Sequence, residues 1–442
     1  TFLDLDVPPT LISFAIAPLK TNEVLSTEFK AAGHPVYLFS GADADGVKTA
    51  WEALHALARS GKVRAAWAVE NGLSEAVMNM SFGNEIGFSA ENTAVDWNVL
   101  YPGAIVAELT DDTADAVRLG VTTAEPIVRI GDDSAAISEL LALNEGVLES
   151  VYPSRTAADT AQVPVLSAPT VQRVAPKIGV AVPKVLIPVF PGTNCDYDTA
   201  KAFRKAGAEV RMSVLCNIAG DDILRSIAEM KEHIRQAHIF VLSGGFSAGD
   251  EPDGSAKFIV NVLNNKDIRE EIHALIDRGG LILGICNGFQ ALVKSGLLPY
   301  GRLGMVTKDS PTLFRNDINR HISQIVTTRV ATTASPWLAG FELGELHSIA
   351  VSHGEGKFVV SETLARELFA NGQVAFQYAD AEGKPAAEAP YNPNGSLYAI
   401  EGIISQNGQI LGKMGHTERY EENLFKNIAG NKQQSLFANA VA

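Results

Sequence analysis

Residues 184–296 alternate short apolar runs with amphipathic stretches. The runs KVLIPVF, HIFVLS and LILGI are each separated by segments with helical spacing, such as DYDTAKAFRKAGA. Short, nearly all-apolar runs predict strands covered on both faces, and their alternation with helices predicts βαβ units. The pattern therefore predicts an α/β fold with a doubly wound, mostly parallel sheet. Later β-rich segments, such as VAFQYA and LYAIEGII, are expected to extend or flank that sheet.

Residues 1–152 show a different mixture of patterns. The segments FLDLDV, TLISFAIA, PVYLFS and AIVAELT predict strands, and DGVKTAWEALHALARSG predicts a helix, which together indicate an α+β domain. Residues 153–183 contain five prolines and no amphipathic period, so they predict a linker between this domain and residues 184–442. Because the chain opens at Thr1 inside a predicted strand, we expect it to be a fragment or a processed chain.

The charge and the cysteine content narrow the class of protein. A net charge of −15 argues against partners such as nucleic acid or an anionic membrane, because their phosphates repel an acidic surface. The sequence has neither a membrane-length apolar run nor a signal-peptide pattern at its start. Three cysteines, none at zinc-ligand spacing from histidines, predict no disulfide framework and no metal site, and fit a reducing cytoplasm.

Cys286 lies where the predicted strand LILGI meets the predicted helix NGFQALVKSG. A residue at such a turn projects from the carboxyl edge of the sheet, where α/β proteins bind ligands. Gly284 and Gly288 permit a sharp turn, and the positive end of the helix favours a thiolate. The pattern indicates a nucleophile and a buried core cysteine about equally, since cysteine is often buried.

Two further features have the chemistry that a thiolate needs. His416 and Glu418 lie two residues apart after the β-rich segment QILGKMG, so a carboxylate can steady the imidazole. The turn at Gly244-Gly245 follows HIFVLS, and its amides could stabilise an oxyanion together with the amide of Asn287. Taken singly, each feature is more typical of an ordinary loop.

Taken together, these residues and several longer motifs resemble a known family. Cys286 in GICNGFQ, the preceding Gly244-Gly245 and the late His416-x-Glu418 resemble the class I glutamine amidotransferases. CNGFQ with SHGEGKF and NPNGS is similar to the glutaminase domain of the phosphoribosylformylglycinamidine synthase family, over about residues 184–430. Residues 1–152 resemble the last domain of that family's synthetase region, the fold of aminoimidazole ribonucleotide synthetase C-terminal domains. This resemblance implies that most of the synthetase lies upstream of Thr1.

The resemblance implies a cytoplasmic enzyme of purine biosynthesis. Cys286 would attack the carboxamide of glutamine, His416 would serve as base and then acid, and Glu418 would orient His416. The ammonia would serve ATP-dependent conversion of formylglycinamide ribonucleotide to its amidine by the upstream synthetase domains. ATP and Mg²⁺ would be held mainly there, with no cofactor for the glutaminase step. The resemblance also implies that the backbone amides of Gly245 and Asn287 stabilise the oxyanion. The implied substrate-binding residues are Phe246, Ser247, Gln290, His353 and Glu355.

Some expectations rest on weaker signals. The family's usual Pro-His-Pro-Glu motif is here Gly415-His416-Thr417-Glu418, which predicts a looser loop. This departure leaves open a non-catalytic assembly or regulatory module, and an amidotransferase for GMP or CTP is a second alternative. In the N-terminal domain, the loop from Asn84 to Gly87 is a candidate lining of a nucleotide-substrate cleft, against a purely structural glycine turn.

Overall fold

The computed structural model describes residues 9–154, 156, 163–164, 178–248 and 254–442, arranged as two compact units, 1–153 and 154–442. The predicted strand FLDLDV and most of the predicted linker 153–183 lie outside the described residues. The two units have separate hydrophobic cores, and each is described by itself. No helix in the described part of the chain is long and apolar enough to cross a membrane.

The first unit contains seven strands and three α-helices within its described residues. They are β1 (Pro35–Phe39), α1 (Ala44–Arg59), β2 (Val63–Ala68), α2 (Leu73–Phe82), β3 (Gly87–Ala90), β4 (Ile105–Leu109), β5 (Val117–Thr123), β6 (Ile127–Ile130), β7 (Asp133–Ala136) and α3 (Ile137–Gly146). The strands form one sheet in the order β2-β4-β1-β5-β3-β6-β7. Its pairings are antiparallel except for β3 with β6, so the unit is α+β.

Both faces of this sheet are covered by helices. Along β1, Val36 and Leu38 pack with residues of α2, while Tyr37 and Phe39 pack with residues of α1. Successive strand residues point to opposite faces, so α1 and α2 lie on opposite sides of the sheet. The strand predicted over TLISFAIA is wrong: the segment has no regular structure, and Leu11 is 96% exposed. Within the described unit this segment pairs with no strand, and its apolar side chains are exposed.

The second unit is larger and contains the predicted βαβ region. Its elements are β8 (Lys184–Val189), α4 (Asp196–Lys205), β9 (Glu209–Val214), α5 (Asp222–Gln236), β10 (Ile239–Leu242), α6 (Lys257–Leu263), α7 (Lys266–Asp277), β11 (Leu281–Ile285), α8 (Asn287–Ser295), α9 (Leu297–Tyr300), β12 (Thr312–Phe314), β13 (Ile322–Val330), β14 (Leu346–His353), β15 (Lys357–Val359), α10 (Glu362–Ala370), β16 (Val374–Ala379), β17 (Ile400–Ile404), β18 (Ile410–Lys413) and α11 (Leu436–Val441).

Nine of these strands form one sheet in the order β14-β13-β16-β17-β18-β11-β10-β8-β9. The strands from β18 to β9 are parallel, and β17, β16, β13 and β14 add an antiparallel extension. Every residue of β10 and β11 is buried, as expected for strands covered on both faces. The predicted α/β fold class is confirmed, and the later β-rich segments supply the extension. Strand β15 lies outside this sheet, since it pairs with β12 in a separate ribbon.

The parallel strands determine where functional residues can meet. Because parallel strands share one carboxyl edge, the loops that follow β8, β10, β11 and β18 come together there. Those loops carry Cys195, Gly244, Cys286 and His416 respectively. Three of these four residues are the ones that the sequence selects for chemistry.

Candidate active site

The turn between β11 and α8 presents Cys286. Its backbone has φ 51° and ψ −104°, a region that non-glycine residues rarely adopt. Gly284 and Gly288 make this turn possible, because a Cβ on Gly284 would lie 2.5 Å from Leu292 Cδ1 and one on Gly288 would lie 1.9 Å from the Leu242 carbonyl oxygen. The Cys286 amide donates to the Lys413 carbonyl at 2.9 Å, and its thiol lies 3.5 Å from the Ser352 carbonyl. The strand-to-helix turn therefore holds the thiol at the sheet edge.

His416 and Glu418 form a buried pair beside this thiol. Glu418 Oε1 lies 2.6 Å from His416 Nδ1, the contact that their two-residue spacing predicts. Burial by itself lowers the pKa of His416, but the Glu418 carboxylate and the Cys286 thiol raise that pKa well above 6.5. Conversely, burial raises the pKa of Glu418, but His416 outweighs it and lowers the pKa below its usual value. His416 Nε2 is buried without a hydrogen-bond partner among the described residues, so the nitrogen opposite Glu418 remains available for proton transfer.

The glycine turn after β10 packs against both groups. A Cβ on Gly244 would lie 2.7 Å from His416 Cε1, 3.1 Å from Cys195 Sγ and 3.5 Å from Cys286 Cβ. Gly245 has φ 151°, and a Cβ there would lie 2.5 Å from the Gly192 carbonyl oxygen. Both positions therefore require glycine, and the turn lies within contact distance of the thiol and the imidazole.

A cavity of ≈ 20 Å³ adjoins the thiol, and most of the residues predicted to bind substrate line it. Its lining is Gly245, Phe246, Ser255, Cys286, Gln290, His353, Gly354 and Glu355. Ser247 does not line it; its amide donates to Asn287 Oδ1 at 3.3 Å. The volume has room for little more than one water molecule, so a glutamine would require the cavity to widen.

Polar contacts hold the wall of the cavity in place. Gln290 Nε2 donates to the Glu355 carbonyl at 2.5 Å, and Asn287 Nδ2 donates to Gln290 Oε1 at 2.9 Å. Burial raises the pKa of Glu355, but the Ser255 amide at 2.9 Å and Lys294 lower it below its usual value. Glu355 is therefore an ionised carboxylate beside the cavity.

The motifs SHGEGKF and NPNGS meet in a single network. The side-chain amide of Asn394 donates to His353 Nε2 at 3.0 Å and also lies 3.0 Å from the Tyr378 hydroxyl. Burial lowers the pKa of His353 to about 3, so its ring is neutral. Because Nε2 accepts from Asn394, the ring proton is on Nδ1. His353 therefore acts in this site as a neutral donor.

Several buried hydrogen bonds hold the loop that carries His416 and Glu418, and the expectation that it is looser than the family's loop stays a prediction. The His416 amide donates to the Ala350 carbonyl at 2.8 Å. The Thr417 hydroxyl contacts Gln434 Oε1 at 2.6 Å, and the Gly415 amide donates to Glu401 Oε1 at 2.6 Å. Hydrogen bonds from three successive residues, 415 to 417, therefore attach this loop to neighbouring segments.

The sequence interpretation assigns no role to Cys195, yet the structure places it beside the pair. Its Sγ lies 3.8 Å from His416 Nδ1 and 3.4 Å from Arg419 Nη2. The sequence does contain a signal for Cys195. It lies in FPGTNC, directly after the predicted strand β8, just as Cys286 lies directly after β11. Cys195, His416 and Glu418 also offer metal-ligand atoms within 4.8 Å of one another. The Arg419 cation at the sulfur and the Glu418 contact at Nδ1 make this a poor cation site.

The two candidates in the N-terminal unit have local contacts. The Asn84 side chain donates to the Phe29 carbonyl at 2.8 Å. Gly87 begins β3, and a Cβ there would lie 1.9 Å from the Glu125 carbonyl oxygen. Both contacts tie segments of the first unit together, which is the structural alternative raised for this loop.

Comparison with known proteins identifies the family. The CobB/CobQ-like glutamine amidotransferase domain matches residues 182–442. The phosphoribosylformylglycinamidine synthase subunit PurQ of Methanococcus maripaludis is 35% identical over 54% of this chain and 82% of that protein. The subunit of the same name from Gloeobacter violaceus is 32% identical over 59% of this chain and 99% of that protein. A structure of PurLQS from Thermotoga maritima covers 59% of this chain and 97% of its own, at 26% identity and a TM-score of 0.43. The matched domain makes up more than half of the sequence, and the chain belongs to the CobB/CobQ-like glutamine amidotransferase family.

Proposed function

We propose that residues 184–442 hydrolyse glutamine to glutamate and ammonia through Cys286, His416 and Glu418. The observation that carries this proposal is that a strained, buried cysteine lines a cavity at the sheet edge and lies, with Gly244 packed against both, beside a buried His–Glu pair. A cysteine that only fills the core needs no histidine or carboxylate beside it, whereas a thiolate nucleophile requires a base and a group that orients the base.

The proposed reaction has two stages. Cys286 Sγ attacks the carboxamide carbon of glutamine, and the proton held by the thiol–imidazole pair passes from His416 Nε2 to the departing nitrogen as ammonia leaves. A thioester to Cys286 remains. Water, deprotonated by His416, then attacks the thioester carbon, and the C–S bond breaks to release glutamate and restore the thiol. Glu418 keeps the proton of His416 on Nδ1 and stabilises the imidazolium.

The cavity residues have binding roles in this proposal. Backbone amides of Gly245 and Asn287 stabilise the oxyanion of the tetrahedral intermediate. The Glu355 carboxylate attracts the α-ammonium group of glutamine, and neutral His353 offers its Nδ1 proton to an oxygen of the substrate. Gln290 holds the loop of Glu355 by its contact with the Glu355 carbonyl. Phe246, 48% exposed, forms the outer wall.

We further propose that the ammonia serves phosphoribosylformylglycinamidine synthesis. The support is the name shared by relatives that are 32–35% identical over residues of the second unit. In this proposal, a synthetase with ATP and Mg²⁺ converts formylglycinamide ribonucleotide to its amidine, and residues 1–152 are its last domain. The three cysteines of the chain are free, in keeping with a cytoplasmic location.

The test of the glutaminase is labelling and turnover at Cys286. We expect a glutamine-mimicking electrophile to alkylate Cys286 and Cys286→Ala to lose at least about 1,000-fold in glutamate release. Cys216→Ser, at a half-buried thiol outside the cavity, is the matched control and should retain both properties. If Cys286 is neither labelled nor needed for glutamate release with the synthetase present, the assignment of Cys286 as the nucleophile fails. Incorporation of ¹⁵N from amide-labelled glutamine into the amidine product tests the second proposal.

A further inference from the structure

Lys413 is a fully buried cation next to the triad. It ends β18, in the apolar run QILGKMG, and its side chain is 0% exposed. Its ammonium donates to the Gly415 carbonyl at 2.9 Å and to the Thr417 hydroxyl at 3.0 Å. These two residues flank His416. A buried lysine is costly unless it is paired and hydrogen-bonded, so its partners indicate what it stabilises.

The partner of Lys413 is Glu401 on the neighbouring strand β17. Their charged groups lie 3.5 Å apart, and both side chains are 0% exposed. Burial lowers the pKa of Lys413, while the carboxylates of Glu401 and Glu418 act in the opposite direction. Glu401 Oε1 also accepts the Gly415 amide at 2.6 Å, so both members of the pair bind the same loop.

The backbone of Lys413 reaches the nucleophile. Its carbonyl accepts the Cys286 amide at 2.9 Å, as part of the pairing between β18 and β11. One residue therefore contacts Cys286 through its backbone and the His416 loop through its side chain. Lys413 therefore links the position of the nucleophile to the position of the His416 loop.

Gly415 shows that this arrangement excludes a proline. A Cβ at Gly415 would lie 2.9 Å from Glu401 Oε1 and 3.0 Å from Lys413 Nζ. A proline there would also lack the amide hydrogen that Glu401 accepts. The ion pair therefore depends on a glycine at position 415.

We propose that Lys413 and Glu401 are positioning residues for the triad, a buried ion pair that restrains the His416–Glu418 loop. The proposal rests on the glutaminase function proposed above and assigns neither residue a contact with substrate. A misplacement of about 1 Å between reacting groups can cost about 100-fold in rate, so even modest loosening is measurable.

The test replaces both charges at once in the 442-residue chain. A single replacement would leave a buried unpaired charge and confound folding with catalysis, whereas an apolar pair of similar size is often tolerated. The variant is K413M/E401L. Its matched control is K231M/D267N, which removes an ion pair of 3.1 Å between α5 and α7. Each variant is measured for melting temperature, for kcat and KM with glutamine, and for the downfield proton signal of the His416–Glu418 hydrogen bond.

We expect K413M/E401L to fold, to keep KM within about threefold, to lose about tenfold or more in kcat, and to lose or broaden the His416 signal. A folded variant that keeps kcat within twofold and keeps the signal overturns the proposal. An equal loss of kcat in K231M/D267N also overturns it, because the effect would then not depend on the loop.

If K413M/E401L does not fold, Thr417→Val removes the hydroxyl that both Lys413 and Gln434 contact. Gln434→Met, which removes the second of these contacts and keeps the first, is its control and should keep kcat. We expect Thr417→Val to lower kcat about threefold with KM unchanged, and an unchanged kcat overturns the proposal. Failure of the glutaminase proposal is a separate result, in which the unaltered chain with its synthetase releases no glutamate. The His416 signal still reports the anchoring of the loop in that case, since it does not depend on turnover.

Discussion

At the residue scale, the charge of His416 determines how the triad can act. The imidazole is almost fully buried, which alone favours its neutral form, yet Glu418 and Cys286 raise its pKa well above 6.5. The Glu418 carboxylate on one side and the Cys286 sulfur on the other therefore both favour the protonated form of the imidazole. In that form the proton needed by the departing ammonia is already on the imidazole.

Glu418→Gln tests this charge state. The amide cannot stabilise the imidazolium, so we expect the pKa of His416 to fall and kcat to drop at least about 100-fold. Histidine NMR titration and steady-state kinetics give the two readouts. Glu422→Gln, at an exposed carboxylate of the same segment, should change neither.

The pKa shifts of His416 and Glu418 also predict how the free energy of unfolding lost in Glu418→Gln depends on pH. The raised pKa of His416 contributes stability that is complete below pH 6.5 and is lost as the pH rises through the folded pKa. The lowered pKa of Glu418 contributes stability above pH 4.5 that is lost as the pH falls through the folded pKa. The free energy of unfolding lost in Glu418→Gln should therefore be largest between about pH 4.5 and 6.5. A constant loss from pH 4 to 9 would contradict this account.

The sequence predicts some of these residues and misses others for a physical reason. Cys286 follows a recognisable strand, and His416 and Glu418 are only two residues apart, so local patterns suffice. Glu401 and Lys413 meet through the pairing of β17 with β18, a relation that spacing along the chain does not specify. A lysine within the apolar run QILGKMG was the available signal, but a lysine at a strand end is usually solvated.

At the element scale, the β11–α8 turn depends on close approach of the helix to the sheet. Gly284 and Gly412 lie under α8, where a Cβ on Gly412 would be 2.1 Å from Phe289 Cδ2. The helix can therefore lie directly on β11 and β18. This contact fixes both the cavity wall, through Gln290, and the thiol, through Cys286.

Gly288→Ala tests that approach. The new Cβ would lie 1.9 Å from the Leu242 carbonyl oxygen, a backbone atom that cannot move aside cheaply. Despite the better helix propensity of alanine, we expect a loss of about 2 kcal/mol or more in the free energy of unfolding, measured with urea. Gly220→Ala, whose Cβ would meet nothing within 4 Å, should stay within about 0.5 kcal/mol of the unaltered chain. Equal stability of the two variants would contradict the packing described here.

Sequence patterns predict elements best where the apolar pattern is strong and local. They give β8 to β11 and the helices between them, together with the end of α8 at Gly296. They fail over TLISFAIA, because a strand also needs a neighbouring strand, and composition alone does not supply one. They also leave the partner of β15 undetermined, since pairing with β12 is a long-range choice.

At the scale of the whole molecule, the chain forms two units with separate hydrophobic cores, and we expect each unit to have its own free energy of unfolding. The first is built around an antiparallel sheet, and the second around a nine-stranded mixed sheet that carries the candidate site. Each has the buried apolar cluster that independent cooperative unfolding requires.

Calorimetry of the 442-residue chain should therefore show two unfolding transitions. A covalent glutamine mimic on Cys286 adds contacts to the second unit alone, so it should raise one transition by several degrees and leave the other in place. A single transition, or an equal shift of both, would mean that the units unfold together. The Cys286→Ala variant, exposed to the same reagent, gives the control without adduct.

The buried pair of Lys413 and Glu401 also restricts how this sequence can change over time. Either charge introduced alone into an apolar setting costs several kcal/mol, a large share of the net stability of a domain. A proline at position 415 blocks the pair, because Glu401 Oε1 accepts the Gly415 amide hydrogen and the two charged groups fill the space of a Cβ. We therefore expect positions 401, 413 and 415 to tolerate joint changes better than single ones.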